Sequence, residues 1–186
     1  ARKAQSGMQS RLLRFSNLEA LKDKTFDSFL PEGLVGSDSK EVSSLEMAYR
    51  FAQQYAQELR GWFLLMGGYG CGKTHLAAAI ANAAIERGVE TLFLTVPDLL
   101  DWLRYSYDAP DTSFEQRFEE IRNVQLLVLD DLGTQNATPW AEEKLYQIFN
   151  ARYTNNLPTV VTTNQALDEI EGRIQSRLRD PELVTV

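Results

Sequence analysis

The stretch "GGYGCGKTH", Gly67 to His75, follows the apolar run Trp62-Phe63-Leu64-Leu65-Met66 and precedes an alanine-rich segment of helical character. Its spacing, Gly67-x-x-x-x-Gly72-Lys73-Thr74, is that of a phosphate-binding loop set between a strand and a helix. Glycines let the backbone turn tightly enough for its N–H groups to face phosphate oxygens, and the helix adds the positive end of its dipole. On this reading the whole loop contacts the nucleotide: Gly67, Gly68, Tyr69, Gly70, Cys71, Gly72, Lys73, Thr74 and His75. Lys73 faces the β and γ phosphates, and Thr74 offers its hydroxyl to Mg2+. The competing reading is a glycine-rich turn with a merely solvated lysine; the strand before and the helix after weigh against it. Cys71 is a tolerated small residue, since backbone does the binding, and His75, the single histidine, packs or caps rather than catalyses.

Outward from the loop, apolar runs alternate with helical patterns. The helix after the loop runs from Lys73 to about Arg87 and is closed by Gly88. Thr91 to Val96 reads as a second strand, with Pro97 at the first position of a helix to about residue 105. A break over Tyr107 to Thr112 follows, then a helix capped by Ser113 and Gln116. Leu126-Leu127-Val128-Leu129 is a third strand ending in Asp130-Asp131, and Thr138-Pro139 starts another helix. Pro158 to Thr163 is a fourth strand, and residues 183–186 begin a fifth. Upstream, Ser43-x-x-Glu46 is a capping box for a helix ending near Arg60-Gly61, and residues 1–42 form an irregular arm. Strands that are apolar throughout and alternate with helices specify an α/β fold, a parallel sheet covered on both faces.

Three further groups of residues bear on chemistry. A phosphate loop needs an acid at the tip of a neighbouring buried strand to hold the Mg2+ shell, and Asp130 fits that place. Asp131 can orient the attacking water, although an acidic pair can also simply cap a strand, and the division of roles between the two stays open. Asn164, after Thr162-Thr163, either forms a turn or hydrogen-bonds the water or the γ phosphate. Arg173, Arg177 and Arg179 are a solvated helix face or contain an arginine that completes a neighbour's ATP site.

Composition excludes other classes. With 186 residues, 44% of them hydrophobic, one sizeable core is affordable to the chain, and no apolar run reaches the roughly 20 residues of a membrane span. A lone cysteine rules out an internal disulfide and fits a reducing, cytoplasmic setting. The net charge of −7 opposes a protein that coats nucleic acid through bulk charge.

Together these residues bring a family into view. "GGYGCGKTHLAAAIANAAIERGVETLFLTVPDLLDWLR", "LLVLDDLGTQNATPWAEEKLYQIFNARYTNNLPTVVTTN" and "RIQSRL", with the introductory "KTFDSF", resemble the AAA+ ATPase domain of bacterial replicative helicase loaders of the DnaC/DnaI type, over about residues 24–186. The resemblance implies a P-loop NTPase core with strand order 5-1-4-3-2 in a domain spanning 43–186. It implies ATP/ADP and Mg2+ as cofactors, with Thr74 and Asp130 (through water) at the metal, and Lys73, Asp130, Asp131, Asn164 (sensor 1) and Arg177 (in trans) as catalytic residues. It implies a hexameric replicative helicase as partner, self-association into an oligomer or spiral, no membrane, and weak, ATP-dependent contact with single-stranded DNA through the helices of 97–122, where Trp102, Tyr105 and Tyr107 offer stacking surfaces. No folded helicase-gripping domain is legible in 1–42, so the chain reads as the ATPase part of a longer protein. An ATPase helper of a transposase (IstB-like) shares most of these motifs; a DnaA-like initiator and a small-molecule P-loop kinase fit them less well.

Overall fold

A computed structural model describes residues 16–33, 38–107, 114–133 and 138–186. Five parallel strands, β1 (Trp62–Met66), β2 (Thr91–Thr95), β3 (Leu126–Leu132), β4 (Thr159–Thr163) and β5 (Val184–Thr185), lie in the order β2-β3-β4-β1-β5. Viewed from the other edge, this is the expected order 5-1-4-3-2. Among the described residues six α-helices surround the sheet: α1 (Ser39–Glu58), α2 (Lys73–Glu86), α3 (Val96–Tyr107), α4 (Phe114–Asn123), α5 (Pro139–Thr154) and α6 (Gly172–Leu178).

The strands are apolar on both sides because both sides are covered. Alternate residues divide between two cores. Phe63, Leu65, Phe93, Val128 and Val160 pack under α1 and α2, whereas Trp62, Leu64, Leu92, Leu129 and Val161 pack under α3 to α6. The period-2 geometry of a strand accounts for the division.

Several boundaries differ from expectation for identifiable reasons. α1 starts at Ser39, because Asp38 is its N-cap: Asp38 Oδ1 accepts from the N–H groups of Lys40 and Glu41 at 2.8 Å, and Glu41 accepts from Asp38 N–H. Ser43, the expected cap, sits inside the helix and donates back to Ser39 O at 2.9 Å. α1 stops at Glu58, with Leu59 turning left-handed at φ 46°, ahead of the expected Arg60-Gly61. Pro97 takes the second helical position of α3, whose N-terminal turn is tied by Asp98 N–H to Thr95 Oγ1. The Thr138 cap on α5 is present, accepting from Ala141 N–H. α3 continues through Tyr107; residues 108–113, including the Ser113 cap, lie outside the described residues.

Residues 16–33 hold a 3-10 turn, Asn17–Leu21, and bury Leu18 and Phe29 among α1, α2 and the sheet. Ser16 Oγ donates to Phe93 O (3.3 Å) and accepts from Phe93 N–H (3.2 Å), while Asn17 Oδ1 accepts from Thr95 N–H. The segment thus satisfies the outer edge of β2, which would otherwise present unpaired backbone groups.

Arg152 on α5 is fully buried and ties α4 to β4. Its guanidinium donates to Val124 O (2.9 Å), Arg122 O (3.2 Å), Pro158 O (2.6 Å) and Thr159 Oγ1 (2.8 Å). The first two carbonyls lie at the C-terminal end of α4, the negative end of its dipole. Burial pulls Arg152 down to about 9, which leaves it protonated at neutral pH. Arg152→Met keeps an apolar stem but strands these carbonyls, so unfolding in denaturant should show a loss of about 3 kcal/mol or more.

Candidate nucleotide-binding site

The loop between β1 and α2 is shaped by backbone that only glycine accepts easily. Gly72 has φ 90°, and a Cβ there would meet the Phe29 ring at 2.8 Å. Gly67 N–H donates to Thr163 O across the sheet, anchoring the start of the loop to β4. The Lys73 side chain turns back into the loop: Nζ donates to Gly67 O (2.8 Å) and Gly68 O (2.6 Å). Cys71 Sγ donates to Gly68 O, and Tyr69 stands almost wholly in solvent.

His75 packs against the 16–33 segment. Its Nε2 lies 2.9 Å from Thr25 O, an atom that can only accept, so Nε2 carries the proton. Its ring meets Phe29 edge-on at 5.2 Å, and Phe29 in turn stacks on Tyr49. Thr25, Ser28 and Phe29 were given no role by the sequence reading; the signal for them was the "KTFDSF" run itself, whose contacts to the loop are tertiary.

Opposite the loop, Asp130 is buried at the end of β3 and held from two sides. Thr74 Oγ1 donates to its carboxylate at 3.1 Å, and Thr162 Oγ1 donates to Oδ1 at 2.6 Å. The main-chain N–H of Asp131 donates to the same Thr162 hydroxyl at 2.9 Å, and Asp131 adopts a left-handed φ of 59°. Asn164 follows β4 directly after Thr163, whose carbonyl holds the loop, and its Oδ1 is buried with no hydrogen-bond partner among the described residues. The structure therefore brings Lys73, Thr74, Asp130, Asp131 and Asn164 to one end of β1, β3 and β4. Thr162 is the member that sequence reasoning missed: a threonine in an apolar strand looks like any β-branched residue.

Arg177 is brought elsewhere. On α6, its guanidinium donates to Asn150 Oδ1 (2.8 Å) and lies over the rings of Tyr146 and Tyr153. Arg173 pairs with Glu143 and Glu171, and Arg179 with Asp168. In the α3–α4 region, Arg117 lies 5.5 Å over Trp102, and Arg104 lies 5.5 Å over Trp140 of α5. The side chains of Tyr105 and Tyr107 are outside the described residues.

The fold and the loop define the class: a P-loop nucleotide-binding domain of AAA+ type. The family described as IstB-like ATP binding protein matches residues 2–185, and the chain belongs to it. It is 34% identical over 132 residues to the replicative helicase loader DnaC of Escherichia coli (strain K12), covering 69% of this chain and 54% of that protein. It is 28% identical over 137 residues to the replicative helicase loader DnaI of Bacillus subtilis (strain 168), covering 73% and 43%. The chain spans about half the length of these curated relatives. Among solved structures, the DnaC helicase loader superposes with a TM-score of 0.69 at 24% identity, covering 88% of this chain and 94% of that one. DnaI superposes at 0.65 with 28% identity, covering 83% and 87%. AMPPCP-bound DnaA from Aquifex aeolicus superposes at 0.68 with 21% identity, covering 82% and 46%, a likeness of fold. Among the described residues no helix is long and apolar enough to cross a membrane.

Burial raises the Asp130 carboxyl above its ordinary value; the Thr162 hydrogen bond opposes this, and the neighbouring Asp131 charge adds to it. A carboxyl raised in the folded state binds more protons than in the unfolded chain, so it lowers stability as pH rises through that window. Asp130→Asn, whose oxygen still accepts from both hydroxyls, should therefore raise the melting temperature of the nucleotide-free protein at pH 7. The gain scales as roughly 2–4 °C per kcal/mol, and melts across pH should show it vanish below the ordinary aspartate range.

Proposed function

We propose that this chain is the ATPase part of a factor that loads a hexameric replicative helicase onto single-stranded DNA, with ATP and ADP as the two states of a switch. The observation that carries the reading is the meeting of Thr74 and Asp130 at 3.1 Å beside the Lys73 loop, in a chain related to DnaC and DnaI.

The residues suit Mg2+-ATP. Hydroxyl and carboxylate oxygens converge at the end of the sheet, a hard-oxygen donor set of the kind Mg2+ takes through water and one or two carboxylates. Thr74 and Asp130 would hold Mg2+ there, and the ion would supply charge neutralisation at the β and γ phosphates. The chain supplies the rest. Loop N–H groups and the α2 N-terminus receive the phosphates, and Lys73 exchanges its two loop carbonyls for phosphate oxygens. Asp131 orients the attacking water, and the unpartnered Asn164 Oδ1 accepts a hydrogen bond from it. Arg177 acts in trans only after giving up Asn150, which makes its engagement a function of assembly. The α3–α4 pair offers Trp102, Arg117 and Arg104 to single-stranded DNA; Arg104 paired to Asp101 and Arg122 to Glu119 make contact there weak, and the nucleotide switch of this proposal makes it ATP-dependent. The same proposal takes residues 16–33 into the ATPase domain, because α1 begins at Ser39 and Leu18 and Phe29 lie in the domain's core.

The IstB-like family description favours one second reading, an ATPase helper of a transposase. Co-purification with a replicative helicase in ATP, against a transposase bait, separates the two.

Lys73→Ala should abolish ATP binding by calorimetry; unchanged affinity overturns the site assignment. Arg177→Ala should leave ATP affinity within about twofold while hydrolysis in the assembled state falls by roughly 10³-fold or more, as loss of an arginine finger does. An equal loss in dilute monomer contradicts a role in trans.

A further inference from the structure

Three side chains at the end of β4 reach across to one short run of β3. Thr162 Oγ1 donates to Asp130 Oδ1 and accepts from Asp131 N–H; Thr163 Oγ1 donates to Leu132 O at 2.8 Å; Gln165 Nε2 donates to Gly133 O at 2.9 Å. Over this run the β3–β4 register shifts between Leu129 and Leu132, and Asp131 takes its left-handed φ of 59°. Aspartate tolerates this conformation better than most residues, and here the cross-strand bonds surround it. Thr162 is wholly buried in a strand buried along its whole length, next to Val160 and Val161 and followed by Thr163. Valine has the same shape, so packing alone gives no reason for a hydroxyl there. The hydrogen bonds do: a hydroxyl owns one hydrogen, and its donation to Asp130 leaves its lone pairs to accept from Asp131.

We propose that Thr162 is a positioning residue for the nucleotide reaction, joining Asp131 N–H, its own hydroxyl and Asp130 Oδ1 in one directed chain that fixes the two carboxylates relative to each other. It acts through Asp130 and Asp131. The inference rests on the reading above that these two acids serve Mg2+-ATP.

Thr162→Val and Thr162→Ser, made in the whole chain, test it. In the valine variant the Asp131 amide should exchange with solvent about 10-fold faster or more, having lost its buried acceptor. Affinity for metal-free ATP, measured in EDTA, should stay within about twofold, because the loop and Lys73 are untouched, while kcat falls roughly 10- to 100-fold and the Mg2+ concentration for half-maximal rate rises. Serine, which keeps the hydroxyl, should restore all three. A valine variant with wild-type kcat and Mg2+ dependence overturns the proposal, as does a folded serine variant as impaired as valine. Should valine fail to fold, Thr162→Ala against Thr162→Ser reads the same contrast. Wild-type protein that neither binds nor hydrolyses ATP overturns the functional reading and this inference with it; an active wild type beside an unaffected valine variant overturns this inference alone.

Discussion

The position of β4 between β1 and β3 is the constraint on which the site depends. Because helices cover both faces of the sheet, polar side chains have no room along the strands and collect where the strands end. β1 ends in the glycine loop, β3 in Asp130-Asp131 and β4 in Thr162-Thr163-Asn164, and the parallel register brings all of these ends level. Loop and acids, more than fifty residues apart in the chain, thereby share one end of the sheet. β4 does more than separate them. Its threonines bond to β3 while its Thr163 carbonyl receives the loop's first N–H.

A second regularity is that the cations near function all have partners inside the chain. Lys73 sits on loop carbonyls, Arg177 on an asparagine and two rings, Arg104 and Arg117 on tryptophans. Lys73 is buried while the arginines are partly exposed, and on the proposed function each contact occupies atoms that phosphate, a neighbouring subunit or nucleic acid bases would need. On that proposal, binding at these places would be an exchange of partners, with affinity set by a difference between two states. Arg152 is the contrast: wholly buried and bonded only to neutral oxygens, it is structural and exchanges with nothing.

The loop, the strand cores and the acidic strand end were legible because each is a local pattern with a local cause. Helix boundaries were legible only in part. Both Asp38-x-x-Glu41 and Ser43-x-x-Glu46 satisfy the capping-box pattern, and the earlier one prevails because its aspartate actually receives the first free N–H groups. The 16–33 segment looked irregular because its buried residues, Leu18 and Phe29, obey no period; they fill places that the sheet edge and two helices create.

Residue order alone therefore determined the α/β class, the glycine loop ahead of Lys73 and Thr74, and the acids at Asp130 and Asp131 at a strand end, since these rest on spacing along a single strand or turn. Only the tertiary structure decided that Thr162 bridges the two acids, that His75 is locked to Thr25, that Asn164 holds an oxygen without a partner, and that Arg177 turns toward Asn150. Those relations join residues far apart in the chain, and the direction in which a hydroxyl or guanidinium points is set by neighbours that no local pattern names.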